Sequence, residues 1–433
     1  MDSVTVGWSL TILLVLLLFT GMPVAFAMFA VGAIGHIMIM GFSSAIFSIP
    51  IVFYDKMSNY PMSVIPLFIV MGFLASEAGF AEDAYATARK WTTRLPGGLP
   101  QATIVAGAAF GAACGTTIAS SAALAKVCIP PMRKAGVDEK LAIGSVAAAG
   151  PLSILIPPSV SFPLYGMITE TSIGKLLMAG ILPGILQAAI VMAMIWIMCT
   201  VKPGLSPRGE SFTWKERLSS LKGVWGIGLI FLIVIVGIYT GFVTPTEAGA
   251  LGALGALVVG LITRRLGRKG ILSSLYDAAI ATCTILLIMV CALYFAHFLA
   301  VSRLPHTVAV FLSSLQVAPI VILMGVVILY LILGCIMNTL SMMLLTIPVL
   351  FPTLMTLGYD PIWFGVVTVI MCEVAALTPP FGVNLFILRS ALPDVPMKRI
   401  MAACFPFILS YVPLMALIIA FPQIALFIPS MMK

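Results

Sequence analysis

Apolar residues run along this chain in long stretches, separated by short polar segments that hold most of the charge. Crossing the hydrocarbon of a bilayer takes roughly 20 such residues. Stretches of this kind lie near residues 4–20, 22–40, 62–80, 141–165 and 177–200, and again near 223–241, 245–262, 274–296, 362–388 and 400–422. The pattern predicts an all-α polytopic membrane protein with about ten crossings. The first stretch, Val4 to Thr20, has no Lys or Arg near it; none occurs before Lys56. It therefore lacks the basic start of a signal peptide and reads as an uncleaved membrane helix with its N-terminus outside.

A single offset aligns the two halves. Adding 222 to Pro23, Pro130, Pro157 and Pro158 gives Pro245, Pro352, Pro379 and Pro380. The same offset takes Gly136 to Gly358 and Asp138 to Asp360. About one proline coincidence is expected by chance, so the offset marks a duplication. Residues 1–200 form the first repeat, 201–222 a connector, and 223–433 the second repeat.

Charge orients the repeats. Lys and Arg cluster at Arg89, Lys90 and Arg94, at Arg133, Lys134 and Lys140, from Lys202 to Lys222, from Arg264 to Lys269, and at Lys398 and Arg399. Positive loops stay on the cytoplasmic side. The apolar segment 99–131 thus has both ends inside, and its middle, Gly111 to Ser121, is rich in small residues. A re-entrant hairpin with its tip near mid-membrane satisfies both facts, provided that the tip is protein-buried or lines a cavity. Its counterpart is a hairpin at 315–357, whose flanks, Arg303 and Asp360, are poor in positive charge and suit the outside. Each repeat crosses an odd number of times, so the second is inverted and both termini are periplasmic. Inverted repeats with two hairpins and interrupted helices describe a secondary transporter.

Composition narrows this further. Of 433 residues, 61% are hydrophobic and 9% charged, against about 25% charged in soluble domains. Too few polar side chains exist to cover a soluble globule, and a chain this apolar is not disordered. The net charge of +8 does not indicate a nucleic-acid partner, because the basic residues are spread thinly between apolar runs. The eight cysteines show no CxxC pair and read as small buried hydrophobes. A Ser–His–Asp cluster, an H-E-x-x-H string and a Walker loop are not evident, so an ion gradient is the expected energy source and an intramembrane enzyme is disfavoured. Glu210 to Trp225 places Trp214, Leu218, Leu221 and Trp225 at helical spacing among Lys215, Arg217 and Lys222. This reads as an amphipathic strut on the inner membrane surface.

The candidate chemistry lies at two Pro-Pro breaks, Ile156-Pro157-Pro158-Ser159 within 141–165 and Thr378-Pro379-Pro380-Phe381-Gly382-Val383-Asn384 within 362–388. Adjacent prolines remove two backbone donors and push the preceding residue out of the helical region. Carbonyls one turn earlier lose their partners, which costs several kcal/mol each in hydrocarbon. Na⁺, a hard cation, is a good replacement partner. Each break faces a polar hairpin tip: Gly115, Thr116, Thr117, Ser120 and Ser121 in the first repeat, and Asn338, Thr339 and Ser341 in the second. The half-helices beyond the breaks would aim their positive N-termini at the same space, which suits an anion flanked by cations. A plainer reading is that the prolines kink helices and the hydroxyls bridge them. Glu373 reads as a cation-site residue, a proton carrier or a residue paired with a buried donor. Glu247 in Thr244-Pro245-Thr246-Glu247 reads as a capping box. His36 and His297 read as packed or interface residues.

The chain resembles the large membrane (M) subunit of tripartite ATP-independent periplasmic (TRAP) transporters. The resemblance runs over essentially the whole chain. Its carriers are Gly21-Met-Pro23-Val-Ala-Phe-Ala27, Pro66-Leu-Phe-Ile-Val-Met-Gly72, Leu95-Pro-Gly-Gly98, Ile156-Pro-Pro-Ser159, Ser172-Ile-Gly-Lys175, Pro183-Gly184, Gly241-Phe-Val-Thr-Pro-Thr-Glu247-Ala248 and Thr378-Pro-Pro-Phe-Gly-Val-Asn384. The resemblance implies an elevator-type machine of scaffold and transport domains in the bacterial inner membrane. It implies as partners a small four-helix membrane (Q) subunit and a periplasmic substrate-binding (P) protein that delivers an organic acid, with Na⁺ as coupling ion. Carried over residue by residue, Gly115, Thr116, Thr117, Ser120, Pro157, Ser159, Asn338, Thr339, Thr378, Pro379 and Gly382 would hold Na⁺. Ser121, Pro158, Ser341, Pro380 and Asn384 would meet the carboxylate substrate. The family often has an acidic residue at Asn338 and a Gly at Ala375, so this chain lacks a charge near its second cation site. A stand-alone Na⁺/dicarboxylate symporter is the alternative within the same class.

Overall fold

The computed structural model describes residues 2–207, 209–314, 317–334, 337–379 and 382–432, and the side chain of Ser313 lies outside the description. Every regular element among the described residues is helical. Six helical segments, among them Ile173–Val201, Arg268–Val301 and Met397–Ala420, are long and apolar enough to cross a bilayer. Ser3–Phe19, Val24–Met40, Gly98–Cys114, Pro319–Gly334 and Pro361–Leu377 are apolar but shorter.

The helix bounds repeat with the sequence offset. Thr117–Lys134, Glu139–Leu155 and Ser161–Thr169 return 222 residues later as Thr339–Thr356, Pro361–Leu377 and Val383–Ala391. The local causes also repeat. Gly136 and Gly358 take φ of +73° and +84°, which lets Val137 N–H reach the Met132 carbonyl and Tyr359 N–H reach that of Leu354. These are Schellman closures, and they need a left-handed residue that glycine supplies without strain. Asp138 Oδ1 then accepts from Leu141 N at 3.1 Å, and Asp360 Oδ1 from Ile362 N at 2.8 Å, so each next helix starts on an aspartate cap.

Packing is reciprocal between the halves. Val24–Met40 lies against Arg268–Val301, while Pro245–Ile262 lies against Val64–Glu77. A Cβ at Gly32 would stand only 3.3 Å from Phe295 Cα, so the first of these pairs meets backbone to backbone. In the same crossed manner, Ser161–Thr169 packs on Thr339–Thr356 and Val383–Ala391 on Thr117–Lys134. The two interrupted helices form the centre: Leu141 to Leu155 and Trp363 to Leu377 are buried without exception. Large apolar side chains such as Trp8, Leu16, Phe47, Leu232 and Phe427 remain exposed around the outside. In water such a surface would aggregate; in a bilayer it is solvated by lipid.

Several elements differ from the sequence expectation. Phe42–Met57 and Phe80–Thr92 are helices where the pattern gave loops, and Leu304–Ser314 repeats Phe80–Thr92 at the shared offset. Phe42–Met57 buries only Ala45, so its sequence carries no burial stripe to read. The helix expected at 274–296 extends over Arg268–Val301. The cysteines conform except Cys283, which is exposed, and Cys335, which lies outside the described residues. The amphipathic connector is short, Trp214–Ser220 plus a tight turn, and it meets Trp225–Tyr239 at 57°.

Candidate functional site

At each break the proline dictates the backbone before it. Ile156 is extended at φ −88°, ψ 114°, and Thr378 at φ −81°, ψ 125°. Because residues 157 and 158 have no N–H, the carbonyls of Ser153 and Ile154 lose their helical donors. The Pro157–Pro158 bond is cis. The second break is partly described: Thr378 Oγ1 donates back to the Val374 carbonyl at 2.7 Å, and Gly382 N donates to the Thr378 carbonyl at 3.1 Å. Pro380 and Phe381 lie outside the described residues.

The first tip is pinned to the first break. Gly115, at φ +68°, accepts from Val160 N at 3.2 Å, and a Cβ there would lie 2.8 Å from the Pro158 carbonyl oxygen. Glycine alone permits both the left-handed turn and the approach. Gly72 seats against the Cys114 carbonyl from the other side. The second tip reaches the second interrupted helix: Thr339 Oγ1 donates to the Cys372 carbonyl at 3.3 Å, and Gly334 packs on Ala375.

What the sequence did not reveal is that the two sites join. Thr117 Oγ1, on the first tip, donates to Glu373 Oε2 at 2.9 Å, and Ser121 Oγ donates to Asn384 Oδ1 at 3.5 Å. Thus Gly115, Thr117, Ser120, Ser121, Pro158 and Ser159 gather with Glu373 and Asn384 from the other repeat. Of the three readings of Glu373, the structure provides the pairing with a buried donor, but for one oxygen only. Glu373 Oε1, Ser120 Oγ, Ser159 Oγ, Ser161 Oγ, Ser341 Oγ and Asn384 Nδ2 are buried with no hydrogen-bond partner among the described residues. Each such group costs about 1–3 kcal/mol if left unmet. Ser161 was not anticipated, and the signal was there, since a hydroxyl repeats two residues after Ser159.

Other expected residues have local employment. Asn338 Oδ1 accepts from Ser341 N at 2.8 Å as a helix cap, which leaves that oxygen a second lone pair. Thr116 caps its helix without a side-chain bond. Glu247 completes its capping box, accepting from Thr244 N at 2.7 Å. His36, fully buried, meets His297 at 2.7 Å between Nε2 and Nδ1 and stacks on Tyr294.

A profile of the family described as tripartite ATP-independent periplasmic transporter, DctM component, matches residues 11–424. A C4-dicarboxylate TRAP transporter large permease protein of Pseudomonas aeruginosa is 33% identical over 405 residues, covering 93% of this chain and 94% of the relative. A sialic acid TRAP transporter large permease protein of Vibrio cholerae is 30% identical over 417 residues, covering 96% of each. A 2,3-diketo-L-gulonate TRAP transporter large permease protein of Escherichia coli is 29% identical over 406 residues, covering 93% of this chain and 94% of the relative. Among solved structures, the YdaH transporter of Alcanivorax borkumensis superposes with a TM-score of 0.62 at 14% identity, over 89% of this chain and 90% of that one, which is a likeness of fold alone.

Proposed function

The chain belongs to the DctM family of tripartite ATP-independent periplasmic transporters, as a multi-pass membrane permease subunit and not an enzyme, and from that premise we propose that it imports a carboxylate-bearing solute in symport with Na⁺. The observation that carries the proposal is the set of buried, unpartnered oxygens and one amide nitrogen on the tips and the interrupted helices of the two repeats. The hydroxyls of Ser120 and Ser159, the freed carbonyls before Pro157 and Glu373 Oε1 offer hard oxygen ligands to Na⁺. Asn384 Nδ2 and the Ser161 hydroxyl offer donors to a carboxylate. In the second repeat, the Ser341 hydroxyl joins the Asn338 amide oxygen as a candidate ligand. Several oxygens that would repel one another when empty become mutually compatible around a cation, and the anion then enters a site already made positive.

We assign the polar tips to re-entrant hairpins. In support, the residues flanking the first hairpin border one segment: Thr93 lies 3.2 Å from a Cβ built at Gly209, and Pro207 lies 3.8 Å from one built at Gly136. Both ends are rich in basic residues, which supports the cytoplasmic face for them. The reciprocal packing supports inverted repeats at 1–200 and 223–433, joined by the 201–222 connector, with both termini periplasmic. The crossed scaffold helices would stand still while the hairpins and interrupted helices move as an elevator in the bacterial inner membrane. The word tripartite in the family description and the large-permease relatives support two partners, a small membrane subunit and a periplasmic binding protein. The relatives' C4-dicarboxylate and sialic acid support an organic acid as cargo.

The test is uptake into proteoliposomes with an imposed Na⁺ gradient, with and without the binding protein and the small subunit. Uptake is expected only with all components and inward Na⁺. Accumulation that ignores Na⁺ would refute the coupling, and uptake undiminished without the binding protein would indicate a stand-alone symporter.

A further inference from the structure

A crevice of about 650 Å³ opens among Phe80–Thr92, the hairpin helix Gly98–Cys114 and Trp225–Tyr239, with Leu221 of the connector at its edge, and nothing in the transport reading uses it. Its lining is almost wholly apolar and includes Ala88, Ala108, Ile156, Ile185, Leu221 and Phe231. Water gains little in so apolar a groove. At its connector end Trp91 lines the crevice and stands edge-on to Trp214, ring centroids 6.3 Å apart. The Arg217 guanidinium lies over that Trp214 ring at 5.3 Å. Arg217 is 7% exposed, and its Nε and Nη2 have no hydrogen-bond partner among the described residues.

A buried guanidinium with two idle donors is costly, and a phosphate is the anion whose oxygens match its fork. The neighbouring charge favours an anion too. Lys215 and Lys222 lie on the same segment and Lys90 beside Trp91. The nearby acids are taken: Glu216 by Thr213 N at 2.7 Å and Glu210 by Arg89 at 3.3 Å. Tryptophans at the mouth of an apolar groove, with a basic rim, are the signature of the membrane interface on its positive side.

We propose that this crevice holds one anionic phospholipid of the inner leaflet, with an acyl chain along the apolar walls and its phosphate on Arg217. The connector is then more than a strut: it reads the headgroup. The proposal does not depend on Na⁺ coupling or on elevator motion.

Native mass spectrometry on the purified full chain, alone and with its small subunit, tests the proposal. Wild-type protein is expected to retain one phosphatidylglycerol and to bind it about tenfold tighter than phosphatidylcholine. Arg217→Gln should erase that preference, and Arg217→Lys should keep part of it. Gly228→Leu should block retention without unfolding, because Gly228 lines the crevice and a Cβ there meets nothing within 4 Å. Equal binding of the two lipids by wild-type protein would overturn the proposal. So would a preference that survives Arg217→Gln, full lipid retention by Gly228→Leu, or loss of the lipid whenever the small subunit is bound. Thermal stabilisation by inorganic phosphate equal to that by phosphatidylglycerol would replace the lipid with a free-anion site.

Discussion

Thr117→Val nearly preserves side-chain shape but removes the hydroxyl that donates to Glu373 Oε2 at 2.9 Å. Glu373 is fully buried and Thr117 is 6% exposed, so water cannot substitute for the lost donor. Since Oε1 already lacks a partner among the described residues, the variant strips the carboxyl of its protein hydrogen bond. With the Glu373 carboxyl ionised around a bound cation, a hydrogen bond to it is worth about 1.5–3 kcal/mol, which corresponds to about 10- to 160-fold in a binding constant. The Na⁺ concentration that half-saturates uptake should rise by that factor in proteoliposomes, because the carboxylate that meets the cation is no longer held. In a Glu373→Gln background the bond at stake is between neutral groups and worth about 0.5–1.5 kcal/mol, so adding Thr117→Val should cost only about 2- to 10-fold. RT times the logarithm of the quotient of the two ratios is the coupling energy of a double-mutant cycle. Equal shifts in both backgrounds, or none in either, would refute the assignment of Glu373 as the residue through which Thr117 acts.

Other consequences are open to measurement. Gly115→Ala combines left-handed strain of about 1–2 kcal/mol with a contact on the Pro158 carbonyl, whereas Gly136→Ala meets only Pro207 at 3.8 Å; thermal unfolding should drop further for the first, and equal drops would show that the tip is not pinned. Ser159→Ala leaves helix packing intact and should weaken Na⁺ dependence more than expression; unchanged Na⁺ dependence would remove Ser159 from the ligand set. The Thr213 N–H and hydroxyl hold the Glu216 carboxyl below the usual range, outside the membrane segments. A depressed folded value means that this cap is fully present above the ordinary glutamate pKa of about 4.3 and is lost as pH falls below it. The protection of the Thr213 amide relative to its intrinsic exchange rate should therefore fall in acid, and a Glu216→Gln chain should show no such transition. Cysteines at Gly136 and Gly358 should label from opposite sides of the membrane; labelling from one side would disprove inversion.

Much of this architecture is legible in the sequence because its causes are local or periodic. The proline and glycine positions that reveal the duplication also set the helix ends, and so the bounds Thr117–Lys134 and Thr339–Thr356 follow at the same offset. The Thr244–Glu247 cap is a four-residue matter and forms as read. Phe42–Met57 escaped because a helix facing lipid on most sides has neither a polar stripe nor a uniform core pattern. Asn338 also caps the helix that it starts, a local use set by its residue type and by the Ser341 N–H three residues on.

The sequence by itself determined a membrane chain of two related halves, each with a Pro-Pro break and a polar tip, because these rest on hydropathy, covalent geometry and missing N–H groups. Only the tertiary structure decided which tip meets which break. Contacts between residues hundreds of positions apart, such as Thr117 with Glu373 and Ser121 with Asn384, depend on how crossed helices pack, and no spacing rule encodes them. The same packing left Glu373 with one oxygen bonded and one idle among the described residues, and set the first tip against the interrupted helix of the second repeat.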